Sequence, residues 1–390
     1  MKFSNFLVIT VIGGIVLSLV GVALVSQAKS ESMVRKIVVF KSGVNETTKG
    51  TLIKNFGGEK IKDLSLINGM AVSLPPKAAE ALSRQIEVLR IDNDDVVFAI
   101  GKPIITGKPP KEPKSQPLET LSWGVDRIDA DLVWGTNTGQ GVKVAIIDSG
   151  IDLDHPDLNV VGGYNAINSW KSYNDDYRHG THVAGIVAAL DNEIGVIGTA
   201  PKVELYAIKV LNRRGIGFAS DIIDGLQWSI DNGMQVANMS IGSSGSSQSY
   251  HDAIIKAYEA GITIIAAAGN NGETDGSIVW PARWPETIAV SATNKSDGLA
   301  YFSSYGPEID LAAPGQDINS TWNDGYYHLG SGTSMATPHV TGVAALVIAS
   351  GKASTPDEVR VVLKATAEDI GLEAIYQGAG LVDAVAAVAE

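Results

Sequence analysis

Val144-Ala145-Ile146-Ile147-Asp148-Ser149-Gly150 reads as a buried β-strand that stops at an acid and a turn. An unbroken apolar run marks a strand covered on both faces, whereas strict alternation marks one face open to water. The strand begins at Val142. Similar runs recur at Glu204–Val210, Gln235–Ile241, Thr263–Ala268 and Thr287–Ala292, with helical patterns between them. Such alternation predicts an α/β fold with a mostly parallel central sheet flanked by helices. In that architecture an acid at the C-terminal end of a strand lies where ligands bind. Taken alone, Asp148 is better explained as a turn cap.

Three motifs downstream change that balance. His179-Gly180-Thr181-His182-Val183-Ala184-Gly185 follows a polar loop and opens an apolar helix. Two histidines three apart can face one metal, but no acidic or cysteine partner stands at metal spacing. One histidine therefore reads as a general base and the other as packing, with Asp175 and Asp176 on the preceding loop solvated. Ala266-Ala267-Ala268-Gly269-Asn270 is a small-residue strand ending in an amide. An amide can donate to an oxyanion without adding charge. Gly332-Thr333-Ser334-Met335-Ala336-Thr337-Pro338-His339 sets a hydroxyl between a glycine turn and the apolar run Val340–Ile348, which reads as a buried helix. A serine at a helix N-terminus sits beside free N–H groups that favour negative charge, as acyl transfer needs. Each motif by itself has a plain structural explanation. Asp, His, Asn and Ser together point to nucleophilic catalysis.

The bulk numbers narrow the classes. The chain has 390 residues and no cysteine, which excludes disulfides, thiolate chemistry and Cys-type zinc sites. Its net charge of −13 argues against nucleic acid as a partner. Lys2 precedes an apolar run, Phe6–Val25, and Ser26-Gln27-Ala28 resembles a signal-peptidase site. Residues 1–28 read as a signal peptide and the product as extracellular, with a membrane tether through residues 6–25 as the alternative. Residues 33–102 read as a small α+β module with strands at Arg35–Phe40, Lys60–Leu66 and Gly69–Leu74, and helices at Asn45–Asn55 and from Pro75-Pro76 to Arg84. Val88–Ile91 and Val96–Ile100 complete it as a last strand pair. Residues 103–117, rich in proline and lysine, form a linker and a natural place for a cut. Residues 29–117 carry 15 Lys+Arg against 10 Asp+Glu, and residues 118–390 carry 14 against 33. The module is thus suited by charge to dock on the larger part.

With its motifs on the page, 118–390 resembles the subtilisin family of serine endopeptidases from end to end. Its Asp…His…Ser order is the one that family uses. Residues 33–102 are similar, by layout more than by motif, to that family's ferredoxin-like inhibitory pro-domain, a folding aid. The resemblance implies a triad of Asp148, His179 and Ser334, with Asn270 completing an oxyanion hole. It implies that Ser240, Ile241 and Gly242, with Gly215, Ile216 and Gly217, sandwich a polypeptide substrate. It also implies an S1 pocket reaching from Ser240–Gly242 to Ala267 and Gly269 over a base at Val279, bulkier than is usual. That predicts broad specificity with an apolar P1 residue. Leu211, Ala219, Ile222 and Ile241 would form an apolar pocket four residues before the cut. A structural calcium site is implied at Glu119, Asp157, Leu190, Asn192, Ile194 and Val196, where the family usually has Gln in place of Glu119. Met335, beside the nucleophile, is an oxidation target. Trp123, Trp134 and Trp228 read as core. The resemblance implies a monomer made as a self-processing zymogen. The alternative is a silent peptide-binding module of the same fold.

Overall fold

The computed structural model describes residues 32–103, 115–272, 274 and 276–389. The readings of residues 1–28 and of most of the linker fall outside these. Among the described residues, no helix is long and apolar enough to cross a membrane.

The N-terminal module runs β1 (Val34–Phe40), α1 (Glu46–Asn55), β2 (Glu59–Leu64), β3 (Gly69–Leu74), α2 (Pro76–Leu82) and β4 (Val88–Asn93). Asn45 starts α1 by accepting from the Thr48 N–H at 2.9 Å, and Pro76 opens α2, where a missing N–H costs nothing. The strands pair antiparallel in the order β2-β3-β1-β4, a ferredoxin-like sheet. Strand alternation splits the apolar residues of β1 between its two faces. Val38 and Phe40 join Ile53 and Leu82 in a core under the module's own helices. Ile37 and Val39 face the other way, into a core shared with the larger part of the chain.

The expected last strand pair does not form. β5 (Val96–Ala99) leaves the module sheet and continues as β6 (Lys102–Pro103). The intervening acids redirect it. Asp94 accepts from the N–H and hydroxyl of Ser220, both at 2.9 Å, and Asp95 accepts from Ser247 N–H at 3.0 Å. These bonds carry the chain away from β4 and across the larger part.

That part comprises α3 (Trp123–Arg127), β7 (Lys143–Asp148), β8 (Val160–Asn165), α4 (His179–Ala188), β9 (Glu204–Lys209), β10 (Ile216–Phe218), α5 (Ala219–Asp231), β11 (Val236–Met239) and β12 (Ile241–Gly242). It continues with α6 (Gln248–Glu259), β13 (Thr263–Ala267), β14 (Thr287–Thr293), β15 (Leu311–Pro314), β16 (Ile318–Thr321), β17 (Tyr327–Ser331), α7 (Thr333–Ala349) and α8 (Pro356–Ala365). Seven strands make one parallel sheet in the order β15-β14-β13-β11-β7-β9-β8. The unbroken apolar run of β7 now has its reason. Val144 and Ile146 pack into the core of α4 and α7, and Ala145 and Ile147 into that of α5 and α6. Each fully buried Val or Ile there contributes about 1.5–3 kcal/mol of transfer free energy.

Both edge strands escape the sequence reading. β8 contains Gly162-Gly163, which reads as a turn, yet a Cβ at Gly163 would lie 2.3 Å from the Ala207 carbonyl oxygen on β9. Glycine is needed for that close approach. β15 is only Leu-Ala-Ala-Pro, too short to show a period. The expected strand Gln235–Ile241 is two pieces, β11 and β12, broken at Ser240. Trp123 and Trp134 pack on the core as expected, and Trp228 stacks on Tyr164.

The module docks on α5 and α6. Lys62 pairs with Asp221 at 2.6 Å and Asp224 at 3.5 Å, and Arg90 with Asp252 at 2.5 Å. Charge also runs the other way. Neither α5 nor α6 has a capping bond from its own N-cap side chain, and within α5 only Asp221 reaches back, to the Phe218 N–H at 3.2 Å. Asp94 caps the first from the module, and Asp92 caps the second through the N–H (3.0 Å) and hydroxyl (2.6 Å) of Ser249.

Candidate active site

Asp148 ends β7, near the middle of the parallel sheet, and His179 opens α4 after Arg178, whose φ of 95° turns the chain into the helix. Both side chains are buried. The carboxylate meets His179 Nδ1 through Oδ1 at 2.8 Å and Oδ2 at 2.9 Å. Burial alone would lower the His179 pKa. The Asp148 charge and hydrogen bond outweigh it, and the net shift is upward. His182, one turn along the same helix, has no such partner. Its Nε2 faces the His328 carbonyl at 2.9 Å, and burial pushes its pKa down to about 3. It is a neutral packing histidine, as the sequence suggested.

Ser334 is the second residue of α7 and fully buried. Pro338 shapes its surroundings. Proline has no N–H, so the Ser334 carbonyl four residues back loses its helical partner. It accepts instead from Ser240 Oγ at 3.0 Å, while the Ser334 hydroxyl donates to the Ser240 carbonyl at 2.9 Å. That reciprocal pair ties the helix start to the break between β11 and β12. The Ser334 hydroxyl is thus bonded to Ser240 and not to His179, whose Nε2 faces the Ile100 carbonyl at 3.1 Å. Contacts of this kind tighten on forming a reactive complex, so the resting geometry is compatible with a nucleophile–base pair. Asn270 follows β13. Its Oδ1 accepts from the Thr333 N–H at 3.0 Å, a group that can only donate, so its Nδ2 faces the cleft beside Gly101.

The cleft is filled by the chain itself. β5 lies antiparallel between β10 and β12, with Phe98 opposite Ile216 and Gly242. Ala99 N–H donates to the Gly215 carbonyl at 3.0 Å and Ile100 N–H to the Ser240 carbonyl at 3.2 Å. An added Cβ on Gly217 would lie 2.1 Å from the Val210 carbonyl oxygen, so glycine is required at this rim. The buried Ile100 side chain enters the expected S1 pocket. A Cβ on Gly242 would lie 2.9 Å from Ile100 Cδ1 and 2.7 Å from Val279 Cγ2, and one on Gly269 would lie 3.2 Å from Val279 Cγ1. Val279 thus fills the space between the two walls. Ala267 is buried at the end of β13. Val97 fills the second pocket with Leu211, Ala219, Ile222 and Ile241. Past the nucleophile, β6 pairs antiparallel with β17. A strand running through a cleft with side chains in alternate pockets is how a sheet edge binds peptide.

The subtilase family description matches residues 139–381. Subtilisin E of Bacillus subtilis (strain 168) is 40% identical over 366 residues, covering 92% of this chain and 91% of that protein. The chain belongs to the subtilase family. It is a serine endopeptidase. Subtilisin amylosacchariticus of Bacillus subtilis subsp. amylosacchariticus matches over the same shares at 40% identity. Subtilisin Savinase of Lederbergia lenta is 45% identical over 270 residues, covering 69% of this chain and 99% of that protein.

The residues expected to hold calcium in this subtilase come together on one loop. Asn192 N–H donates to Glu119 Oε1 at 2.8 Å, and Asp157 accepts from Asn192 Nδ2 at 3.1 Å and Val196 N–H at 3.2 Å. Glu119 N–H donates to the Glu193 carbonyl at 3.0 Å, and Leu118 bridges Ile194. Burial, with Glu119 nearby, pushes the Asp157 pKa up to about 7. Among the described residues no hydrogen bond reaches the carbonyls of Leu190, Ile194 or Val196. Two carboxylates, an amide and unpaired carbonyls form an all-oxygen set that fits a hard cation. Among the described residues no cluster of three or more His, Cys, Asp or Glu could hold a metal, so the fit rests on backbone and amide oxygens.

One site residue was misread. Asp176 is a surface partner of Lys209 at 2.6 Å, close to expectation. Asp175 is not solvated but buried. Nothing in a lone Asp-Asp pair distinguishes the two. The Thr two residues after His179 was the available signal, since its hydroxyl binds Asp175.

Proposed function

We propose that the chain is an exported serine endopeptidase made as a precursor that cuts itself between Ile100 and Gly101. Residues 32–100 are the inhibitory pro-domain and folding aid, and residues 1–28 the export signal. The observation that carries this reading is the position of Ile100, with its carbonyl at His179, its N–H on Ser240 and its side chain in the S1 pocket. The proposed cut thus lies just upstream of the 103–117 linker, where the sequence suggested it.

In the proposed mechanism the Ile100 carbonyl oxygen swings from His179 Nε2 towards Asn270 Nδ2, and the Ser334 hydroxyl turns from the Ser240 carbonyl to the freed Nε2 and attacks the scissile carbonyl carbon. His179 Nε2 takes its proton and later gives it to the leaving amine. Asp148 holds the Nδ1–H tautomer and stabilises the imidazolium. The oxygen, negative in the tetrahedral intermediate, is met by Asn270 Nδ2 and the Ser334 N–H at the start of α7. The acyl-enzyme is then hydrolysed by water. Ile100 and Val97 model the preferred substrate, with an apolar P1 residue above Val279 and an apolar residue four places before the cut. Calcium, when bound by Glu119, Asp157, Asn192 and the carbonyls of Leu190, Ile194 and Val196, supplies fixed positive charge that holds this loop and the start of the catalytic domain. The mature enzyme acts as a monomer.

The test is mass spectrometry of residues 29–390 over time, beside Ser334→Ala. Fragments of roughly 8 and 32 kDa (from ~110 Da per residue) from the wild type alone, with a new N-terminus at Gly101, are the expected result. Cleavage of both chains, or of neither, with no hydrolysis of casein, moves the silent-module reading to the front.

A further inference from the structure

Asp175 lies on the loop before α4 and is only 6% exposed. It has no cationic partner among the described residues, yet its carboxylate is saturated. Oδ1 accepts from Ser149 Oγ at 2.9 Å and from the N–H groups of Tyr177 and Arg178, both at 2.8 Å. Oδ2 accepts from the Thr181 N–H at 3.0 Å and its hydroxyl at 2.6 Å. Burying a carboxylate without a counter-ion is costly, and hydrogen bonds to the charged form offset that cost only in part. A neutral side chain could fill the space more cheaply.

The partners are informative. Ser149 follows Asp148, and its N–H donates to Asp148 Oδ1 at 2.7 Å. Its hydroxyl oxygen also accepts from the N–H of Gly180, which follows His179, at 2.9 Å. Arg178 precedes His179 in its left-handed conformation, and Thr181 lies two residues after it. One carboxylate therefore holds the backbone on both sides of His179 and, through Ser149, the residue next to Asp148.

We propose that Asp175 is a positioning residue for the Asp148–His179 pair. It acts through two routes. The Ser149 bridge fixes the separation and tilt of imidazole against carboxylate, where misplacement of about 1 Å can cost ~100-fold in rate. Burial raises the Asp175 pKa, and in its ionised form the carboxylate also favours the imidazolium that forms during attack. The charged or titratable groups around this assembly are Asp148 on β7, His182 on α4 and the Asp176–Lys209 pair, with Lys209 on β9 donating to the Ser149 carbonyl at 2.5 Å. The proposal rests on Asp148, His179 and Ser334 being the triad. His179→Ala tests that assignment separately, because wild-type hydrolysis in that variant removes the triad itself.

The experiment compares Asp175→Asn and Ser149→Ala in the full chain after activation, with active sites counted by titration and an apolar-P1 chromogenic peptide as substrate. Asn keeps the acceptor for Ser149, Tyr177 and Arg178 but removes the charge and opposes the Thr181 N–H. Asp175→Asn is expected to lower kcat ~10- to 100-fold with KM within about twofold. The acid limb of kcat/KM should move to lower pH, because removing a neighbouring anion lowers the His179 pKa. Ser149→Ala is expected to lower kcat likewise without moving that limb. Reduced yield or Tm in both variants, with kcat per active site and the acid limb unchanged, overturns the proposal. If Asp175→Asn does not fold, Ser149→Ala decides. Unchanged kcat there overturns the bridge, and a selective fall in kcat supports it.

Discussion

The two sheets of this molecule are finished in different ways. The parallel sheet is covered on both faces by helices of its own part, and the continuous apolar strand β7 divides its side chains between the two cores. The module's antiparallel sheet is covered on only one face by its own helices. Its other face, with Ile37, Val39 and Ala71, packs into the core around α5 and α6. The strand that follows it, β5, pairs with β10 and β12 of the larger part instead. The larger part is incomplete in a complementary way, since α5 and α6 take their N-terminal acceptors from the module. On the proposed reading, a partner that completes a core, caps two helices and fills a cleft would assist folding and block the site through the same contacts. Cutting one bond then separates the two roles, because the covalent tie is lost while the contacts decay at their own rate.

The sharpest way to break this comparison is to disable the cleft and leave the docking face intact. Asp148→Asn retains the shape of the carboxylate but favours the wrong imidazole tautomer. It is expected to lower kcat by ~10⁴ while module and catalytic part stay associated. Self-cleavage of this variant at the wild-type rate would show that the Asp148–His179 pair does not drive the cut.

A second prediction concerns calcium. Glu119 already lies on the Asn192 loop while Ile100 is still in the cleft. Calcium should therefore stabilise the uncleaved Ser334→Ala precursor, by ~4 kcal/mol at a thousandfold excess over Kd. Thermal melting with calcium against chelator reads this. A shift confined to cleaved enzyme would mean that the loop assembles only after the cut.

The third concerns the caps. Asp94→Ala removes the acceptor for two Ser220 groups and leaves Arg35 without its 2.7 Å partner. It is expected to weaken inhibition of mature enzyme by the module by ~1–2 kcal/mol, about 5- to 30-fold in Ki. Asp63→Ala, whose only ion pair among the described residues is the exposed one with Lys60, should stay within ~0.5 kcal/mol. Equal effects would mean that docking is set by net charge and not by the caps.

How much of this was legible depended on the range of each interaction. β7, β9, β13 and β14 declare themselves by composition, because strands buried on both faces leave no room for polar residues. The chemistry-bearing side chains were legible too, each standing at a strand end or helix start with a local signature. What stayed hidden is long-range. β8 needs its glycines for closeness to β9, and β5 looks like any module strand until Asp92, Asp94 and Asp95 find helices more than 120 residues away. Asp175 and Asp176 are identical in sequence terms, and only folding separates the buried one from its exposed neighbour.

The histidines carry the finest test. His179 is buried beside Asp148 and has its pKa raised, whereas His339 on α7 is equally buried with no acid beside it, and burial pushes its pKa down to about 4. Its Nδ1 faces the Met335 carbonyl at 2.8 Å, and its Nε2 is unpaired and close to Gly124. A histidine that stays neutral in the fold but titrates near 6.5 when unfolded contributes stability above that value. The contribution is lost as pH falls from ~6.5 towards about 4, at ~1.4 kcal/mol per unit for one proton. His182 behaves alike, with its loss extending to about pH 3. In the Ser334→Ala precursor, Tm should therefore fall between pH 6.5 and 4. His339→Gln, which keeps a donor for Met335 but cannot titrate, should flatten that slope by about one proton. An unchanged slope would mean that His339 does not set the acid sensitivity. Raised pKa values at Asp221 and Asp224 predict the opposite sign, since carboxylates shifted upward favour the folded state at low pH and lose that contribution as pH rises. The direction of the slope therefore tells which of the two buried environments dominates the response to acid.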